Sequence, residues 1–142
     1  MKEEFARILV PMSGQRADEE ALDLACGLAR EFKSKVEVVY VIQVKRSLPL
    51  DAELEPEIQR AEEILGRAEG IADREECQVE TDLLQARELG PAIVDEAVER
   101  GCDLILMGIM HKKRFGEFSL GHSVSYVLKN APCRVLILRQ PP

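Results

Sequence analysis

The chain has no basic excess. Its 142 residues carry 19 lysines and arginines against 26 aspartates and glutamates, a net charge of -7. A duplex nucleic-acid binder needs a broad basic face to neutralise phosphates, so nucleic acid is not an expected partner. The acidity aids solubility and says little about fold. No stretch approaches the roughly 20 apolar residues of a membrane span, so membrane insertion is not expected. The opening "MKEEFARILVP" has glutamates where a secretory leader is basic, and its apolar run is too short for one. That combination reads as cytoplasmic. The four cysteines, Cys26, Cys77, Cys102 and Cys133, form no C-x-x-C pair and have the wrong spacings for zinc. Reduced, mostly buried thiols are expected instead. There is no internal repeat, linker or low-complexity tract. One domain over residues 1–142 is expected, long enough to bury a core without metal or disulfide staples.

What is present is an alternation of two periods. "RILVPM" (7–12) is nearly continuous and apolar, as a strand covered on both faces should be. Ala21, Leu22, Ala25, Leu28, Ala29 and Phe32 then recur at helical spacing. "KVEVVYVIQV" (35–44) is a β-branched second strand, and a loop holds Leu48, Pro49 and Leu50. A charged helix is expected from about Ala52 to Glu75, with Leu54, Ile58, Ala61, Leu65, Ala68 and Ala72 as its apolar stripe. Pro56 fits only near its first turn. A third strand covers 77–85, and a helix covers 90–101 with Ile93, Val94, Ala97 and Val98 facing inward. A fourth strand (102–108) follows. The last helix (120–131) turns Val124, Val127, Leu128 and Ala131 to one face, and a fifth strand (133–139) closes the pattern. Strand–helix alternation of this kind makes a parallel sheet with right-handed crossovers.

Ligands of open parallel sheets bind beyond the carboxyl ends of the strands, where the winding reverses. Two loops are equipped for it. "PMSGQRADE" follows the first strand, and "GIMHKKRFGEFSLGHS" follows the fourth. The second concentrates His111, Lys112, Lys113 and Arg114 in an acidic protein and reaches Gly121 at a helix start, where backbone N–H groups and the helix dipole suit an anion. Gly108 alone carries the weak signal of a turn after a strand. His111 and His122 lack a third ligand for a metal, and Ser13 with His122 lacks an orienting acid for nucleophilic catalysis. Asp18, Glu19 and Glu20 read as acids favouring a helix N-terminus. Met12, Met107 and Met110 read as packing around the sheet ends.

Three segments together resemble the universal stress protein family along nearly the whole chain. They are "RILVPMSGQRADEEALDLACGLA", "LGPAIVDEAVERGCDLILMG" and "FSLGHSVSYVLKNAPCRVLILR". The resemblance implies an α/β fold with a five-stranded parallel open sheet of order 3-2-1-4-5 and helices on both faces, Rossmann-like or adenine nucleotide alpha hydrolase-like. It also implies a homodimer through the last strand, with Val135, Leu136, Ile137 and Leu138 on the joined edge. Nucleotide-binding members carry G-x-x-G, nine residues, then G-[S/T]. The matching positions here are Gly108, His111, Gly121 and His122, so the spacing is kept and two residue types are changed. Such members tend to have an aspartate ending the first strand, where this chain has Ser13. The backbone position meeting adenine falls near Val41. The site expected from the resemblance and the two loops comprises Pro11, Met12, Ser13, Val41, Gly108, His111, Lys112, Arg114, Gly121, His122 and Ser123, with ATP or AMP as ligand and no metal.

A regulatory module binding an adenine nucleotide or another phosphate-bearing ligand is the leading expectation. The alternatives are a ligand-free dimeric adaptor with a regulatory protein partner, such as a transporter, and a weak ATP hydrolase. "MSGQRAD" resembles the S-G-G-x-D-S loop of ATP pyrophosphatases in Ser13 and Gly14, but Gln15 replaces its second glycine and Asp18 falls one residue late. No catalytic residue is assigned.

Overall fold

The computed structural model describes residues 5–110 and 121–141, and between them the backbone of 113–114 and 117–118. Five long strands form one parallel sheet: β1 (Arg7–Met12), β2 (Lys35–Gln43), β3 (Val79–Ala86), β4 (Leu104–Ile109) and β7 (Arg134–Arg139). Their spatial order is β3-β2-β1-β4-β7, the order expected. Four helices connect them: α1 (Arg16–Phe32), α2 (Glu55–Arg74), α3 (Leu89–Arg100) and α4 (His122–Asn130). Two short strands, β5 (Lys113–Arg114) and β6 (Glu117–Phe118), pair antiparallel between β4 and α4. The sequence reading had assigned no strand there.

The two sheet faces follow from the period of two along each strand. Ile8, Val10, Val36 and Val38 face one way and pack with Leu22, Ala25 and Cys26 of α1 and Leu65 and Ala68 of α2. Leu9, Val39 and Ile105 face the other way and pack with Ile93 and Ala97 of α3 and Val127 of α4. With both faces covered, the central strands have to be apolar throughout. Each fully buried Leu or Ile contributes about 1.5–3 kcal/mol.

Several expectations are corrected. Val98, expected to face inward, is 58% exposed, and Leu128, expected on one face with the buried Val124 and Val127, is 46% exposed. Ile64 and Ile71 of α2, left out of the expected stripe, are buried. A helix covers the sheet with a stripe about 100° wide, and residues at its margin face in or out according to what lies beside them. The long helix starts at Glu55 rather than Ala52, with Pro56 in its first turn as expected. The third strand starts at Val79, because Cys77 still closes the preceding turn through its N–H to the Ala72 carbonyl. Cys26, Cys77 and Cys102 are buried thiols as expected, and Cys133 is partly so.

One polar group sits deep in the α3 face. Glu37, 3% exposed, accepts from Arg7 Nη1 at 3.2 Å and from the Cys102 thiol at 3.5 Å, and pairs with Arg100 Nη1 at 3.6 Å. Arg100 also pairs with Asp82 and Glu96. A buried carboxylate is tolerated only with such partners.

Candidate ligand-binding cleft

Because β1 and β4 are neighbours, the chain leaves their carboxyl ends in different directions: toward α1 from β1, toward β5 from β4. A cleft of about 470 Å³ opens between them, bounded also by β2, α3 and the start of α4. Its position is that of ligand sites in open α/β sheets, at the point where strand order reverses. Of the expected site residues, Pro11, Met12, Ser13, Val41, Gly108, Gly121 and Ser123 line it. His122 is exposed in the first turn of α4 and does not line it. The side chains of His111, Lys112 and Arg114 lie outside the described residues.

The glycines have different reasons. Gly108 is not a turn residue but lies within β4, in an otherwise apolar strand. A Cβ there would lie 2.0 Å from the Ala17 carbonyl oxygen and 3.0 Å from the Asp18 nitrogen. The absent side chain lets the first turn of α1 rest on β4, which brings that turn to the cleft. Gly121, with φ +81°, is the residue before α4, and a Cβ there would meet nothing within 4 Å. Its requirement is conformational, since positive φ is costly for residues with a side chain. Among the described residues, no side chain caps the start of α4.

The residue that the sequence reading undervalued is Asp18. It does lie in the first turn of α1, as an acid favouring a helix N-terminus should. It is also 4% exposed and lines the cleft. Its Oδ2 accepts from the Ser13 N–H at 2.7 Å, the Gln15 N–H at 2.9 Å and the Ser13 hydroxyl at 3.3 Å. Burial pushes its carboxyl above the ordinary aspartate value. The N–H groups of Ser13, Gln15 and Gly14 pull the other way without cancelling the burial. The loop after β1 is therefore folded around the protein's own carboxylate, and its amides face inward. Gln15 and Asp18, three apart, were the available signal, as the two ends of a helix-capping box.

The rest of the wall is apolar. Val39, Leu89, Ile93, Met107, Ile109 and Val124 contribute to it, none of them marked as a site residue by any motif in the sequence. Met12 and Met107 are buried as expected of packing residues, while Met110 at the rim is 40% exposed. An apolar wall with polar groups at two ends suits a flat ligand body that carries hydrogen-bonding groups.

Sheet order, helix placement and cleft together define an α/β fold of the adenine nucleotide alpha hydrolase-like class. The chain belongs to the universal stress protein family, whose model matches residues 4–139. A curated universal stress protein of Methanocaldococcus jannaschii is 29% identical over 143 residues, covering 96% of this chain and 84% of that one. Among solved structures, the universal stress protein from Archaeoglobus fulgidus in complex with dAMP superposes with a TM-score of 0.74 at 24% identity, covering 94% of this chain and 97% of that one. A universal stress protein family protein from Arabidopsis thaliana with AMP bound superposes with a TM-score of 0.70 at 13% identity, covering 96% and 92%. At these identities the superpositions speak for the fold.

Proposed function

We propose that the chain is a single-domain cytoplasmic regulatory module that binds an adenine nucleotide, AMP or ATP, in the cleft between β1 and β4. The observation that carries this reading is the meeting of an apolar slot with the start of α4 at one crevice. The base lies against the apolar wall near Val39 and Val41, and the phosphate lies at the first turn of α4, where the dipole and N–H groups favour an anion. The dAMP and AMP named for the two structural neighbours support the ligand class. His122 differs from the family's hydroxyl residue, but its backbone N–H stays in the first turn.

The test is thermal unfolding with ATP, ADP and AMP. Ligand at 100 times its Kd adds about 2.7 kcal/mol. For a chain near this size that raises Tm by roughly 5–10 °C. Absence of any shift at millimolar nucleotide would count against the reading. Binding is favoured over hydrolysis because the Ser13–Gln15 loop turns its amides onto Asp18 rather than outward to a phosphate.

A homodimer through β7 belongs to the same proposal. β7 is an edge strand, and an uncovered apolar edge invites pairing. Leu136 on it is 43% exposed. Leu24 of α1 is 40% exposed, on the side of that helix away from the Glu19–Arg67 and Arg30–Glu75 pairs that tie it to α2. Leu128 of α4 lies away from Tyr126, the residue that packs on Gly90 of α3. Three exposed leucines thus border one edge, and a two-fold pairing of Val135–Leu138 would cover them. That edge also supports the adaptor reading, in which a protein partner takes the same surface.

A further inference from the structure

Helices α1 and α2 cover the same sheet face, and two of the cysteines meet where their C-terminal ends meet. Cys26 lies on the buried face of α1, and Cys77 lies in the turn between α2 and β3. Both belong to one apolar cluster, and their thiols are in hydrogen-bond contact with each other. The backbone around them is held. The Cys77 N–H is tied to the Ala72 carbonyl at 2.8 Å. Arg30 of α1 donates to the Glu75 carbonyl at 3.0 Å and to its carboxylate at 3.1 Å. Thiols already in contact need side-chain rotation, not movement of helices, to reach the S–S length of about 2.05 Å.

The two sulfurs differ in access. Cys77 lines a groove of about 900 Å³ between the ends of α1 and α2 and the starts of β2 and β3. Cys26 stands behind it at 0% exposure. This groove is at the opposite end of the sheet from the cleft between β1 and β4. Burial, the neighbouring sulfur and the Glu75 and Asp23 carboxylates keep the Cys26 thiol protonated. A small oxidant entering the groove therefore meets Cys77 first.

We propose that Cys26 and Cys77 are a site of oxidative modification, a thiol pair that hydrogen peroxide converts to a disulfide joining α1 to the turn before β3. The Cys77 sulfur, as its thiolate, attacks one peroxide oxygen. The O–O bond breaks, and the departing hydroxide takes up the proton shed by Cys77 and becomes water. Cys77 is then a sulfenic acid. The Cys26 sulfur attacks the Cys77 sulfur, the S–O bond breaks, and the departing hydroxide leaves with the Cys26 proton as a second water. Two thiols are oxidised to one disulfide, and one peroxide is reduced to two waters. The bond closes the loop that contains β2 and α2 and locks the contact of α1 with α2. It is independent of the nucleotide reading, since neither sulfur lines that cleft.

The experiment treats the reduced full chain with hydrogen peroxide, blocks the remaining thiols with iodoacetamide in denaturant, and maps the non-reduced peptides by mass spectrometry. The expected result is a peptide pair joining Cys26 to Cys77, with both thiols recovered by dithiothreitol. Closing a loop of this length should raise Tm by roughly 5–15 °C. In Cys26→Ala, dimedone should trap a sulfenic acid on Cys77, and in Cys77→Ala, Cys26 should stay a free thiol. The wild-type map carries the test without any substitution, so a variant that fails to fold does not remove it. Oxidation confined to Cys133, with Cys26 and Cys77 recovered as thiols, overturns the proposal, and so does a map that joins Cys77 to another cysteine. A Tm unchanged or lowered in the linked form overturns the claim that the bond fits the native contact.

Discussion

Gly108→Ala tests how the cleft is built. The added Cβ would sit 2.0 Å from the Ala17 carbonyl oxygen and 2.4 Å from its carbon. An ordinary contact is about 3.5 Å, so the overlap is roughly 1–1.5 Å against backbone rather than a movable side chain. Rotamer change cannot relieve it, so α1 must lift from β4 at its first turn. Overpacking of this kind costs about 1–3 kcal/mol, and the rigid partner places this site at the upper end. The expected result in urea is a midpoint lowered with an unchanged m-value, corresponding to about 3 kcal/mol. Lifting α1 also moves Asp18 and Ser13, so nucleotide binding should weaken more than the stability loss alone explains. The control is Gly66→Ala in α2, where a Cβ meets nothing within 4 Å. It should stabilise by about 0.5–1 kcal/mol through helix propensity and chain entropy. A Gly108→Ala change costing less than about 0.5 kcal/mol would refute the account of how β4 and α1 approach, because surface substitutions without such a mechanism fall in that range.

Other outcomes follow from the same structure. The folded-state pKa of Asp18 is raised, so its contribution to stability is greatest below the ordinary aspartate value and is lost as pH rises through the folded value. Wild type minus Asp18→Asn, measured by denaturation from pH 3 upward, should therefore decline as pH rises from the ordinary aspartate value to the folded value and level off beyond it, and a rise in that window would refute the assignment. Burial pushes the Cys102 thiol up to about 12 and raises that of Cys26 as well. An aromatic-disulfide titration at pH 8 should modify Cys133 first and reach Cys26, Cys77 and Cys102 only after denaturant, whereas rapid labelling of all four would contradict the burial. If the proposed β7-edge dimer forms, Leu136→Arg should convert it to a monomer in light scattering at unchanged helix content; a wild type that is already monomeric, or a variant that stays dimeric, would refute that edge as the contact.

Much of the architecture was legible in the sequence because the relevant signals are local. The short continuous apolar runs "ILVPM" and "LILMG" and the helical spacing of Ala21, Leu22, Ala25 and Ala29 depend only on neighbours along the chain. Strand and helix alternation then leaves few topologies, and the sheet has the expected one. Seven of the expected site residues line one cleft, because sheet order alone dictates which loops meet. The helix margins were not legible. Val98 and Leu128 carry the right period, yet they are exposed where nothing lies over the flank of the helix.

The amino-acid order by itself determined that this chain makes five long parallel strands and four covering helices, since burial on a two-residue or 3.6-residue repeat is a property of the chain alone. Only the tertiary structure decided that Asp18, an ordinary first-turn acid in sequence, would stand buried behind Ser13 in a cleft wall. It likewise decided that Gly108 would be a point of contact rather than a turn. Both results depend on which backbone comes to rest against which, and that is set by the packing of α1 on β4, elements far apart in the chain, at the contact of Ala17 with Gly108.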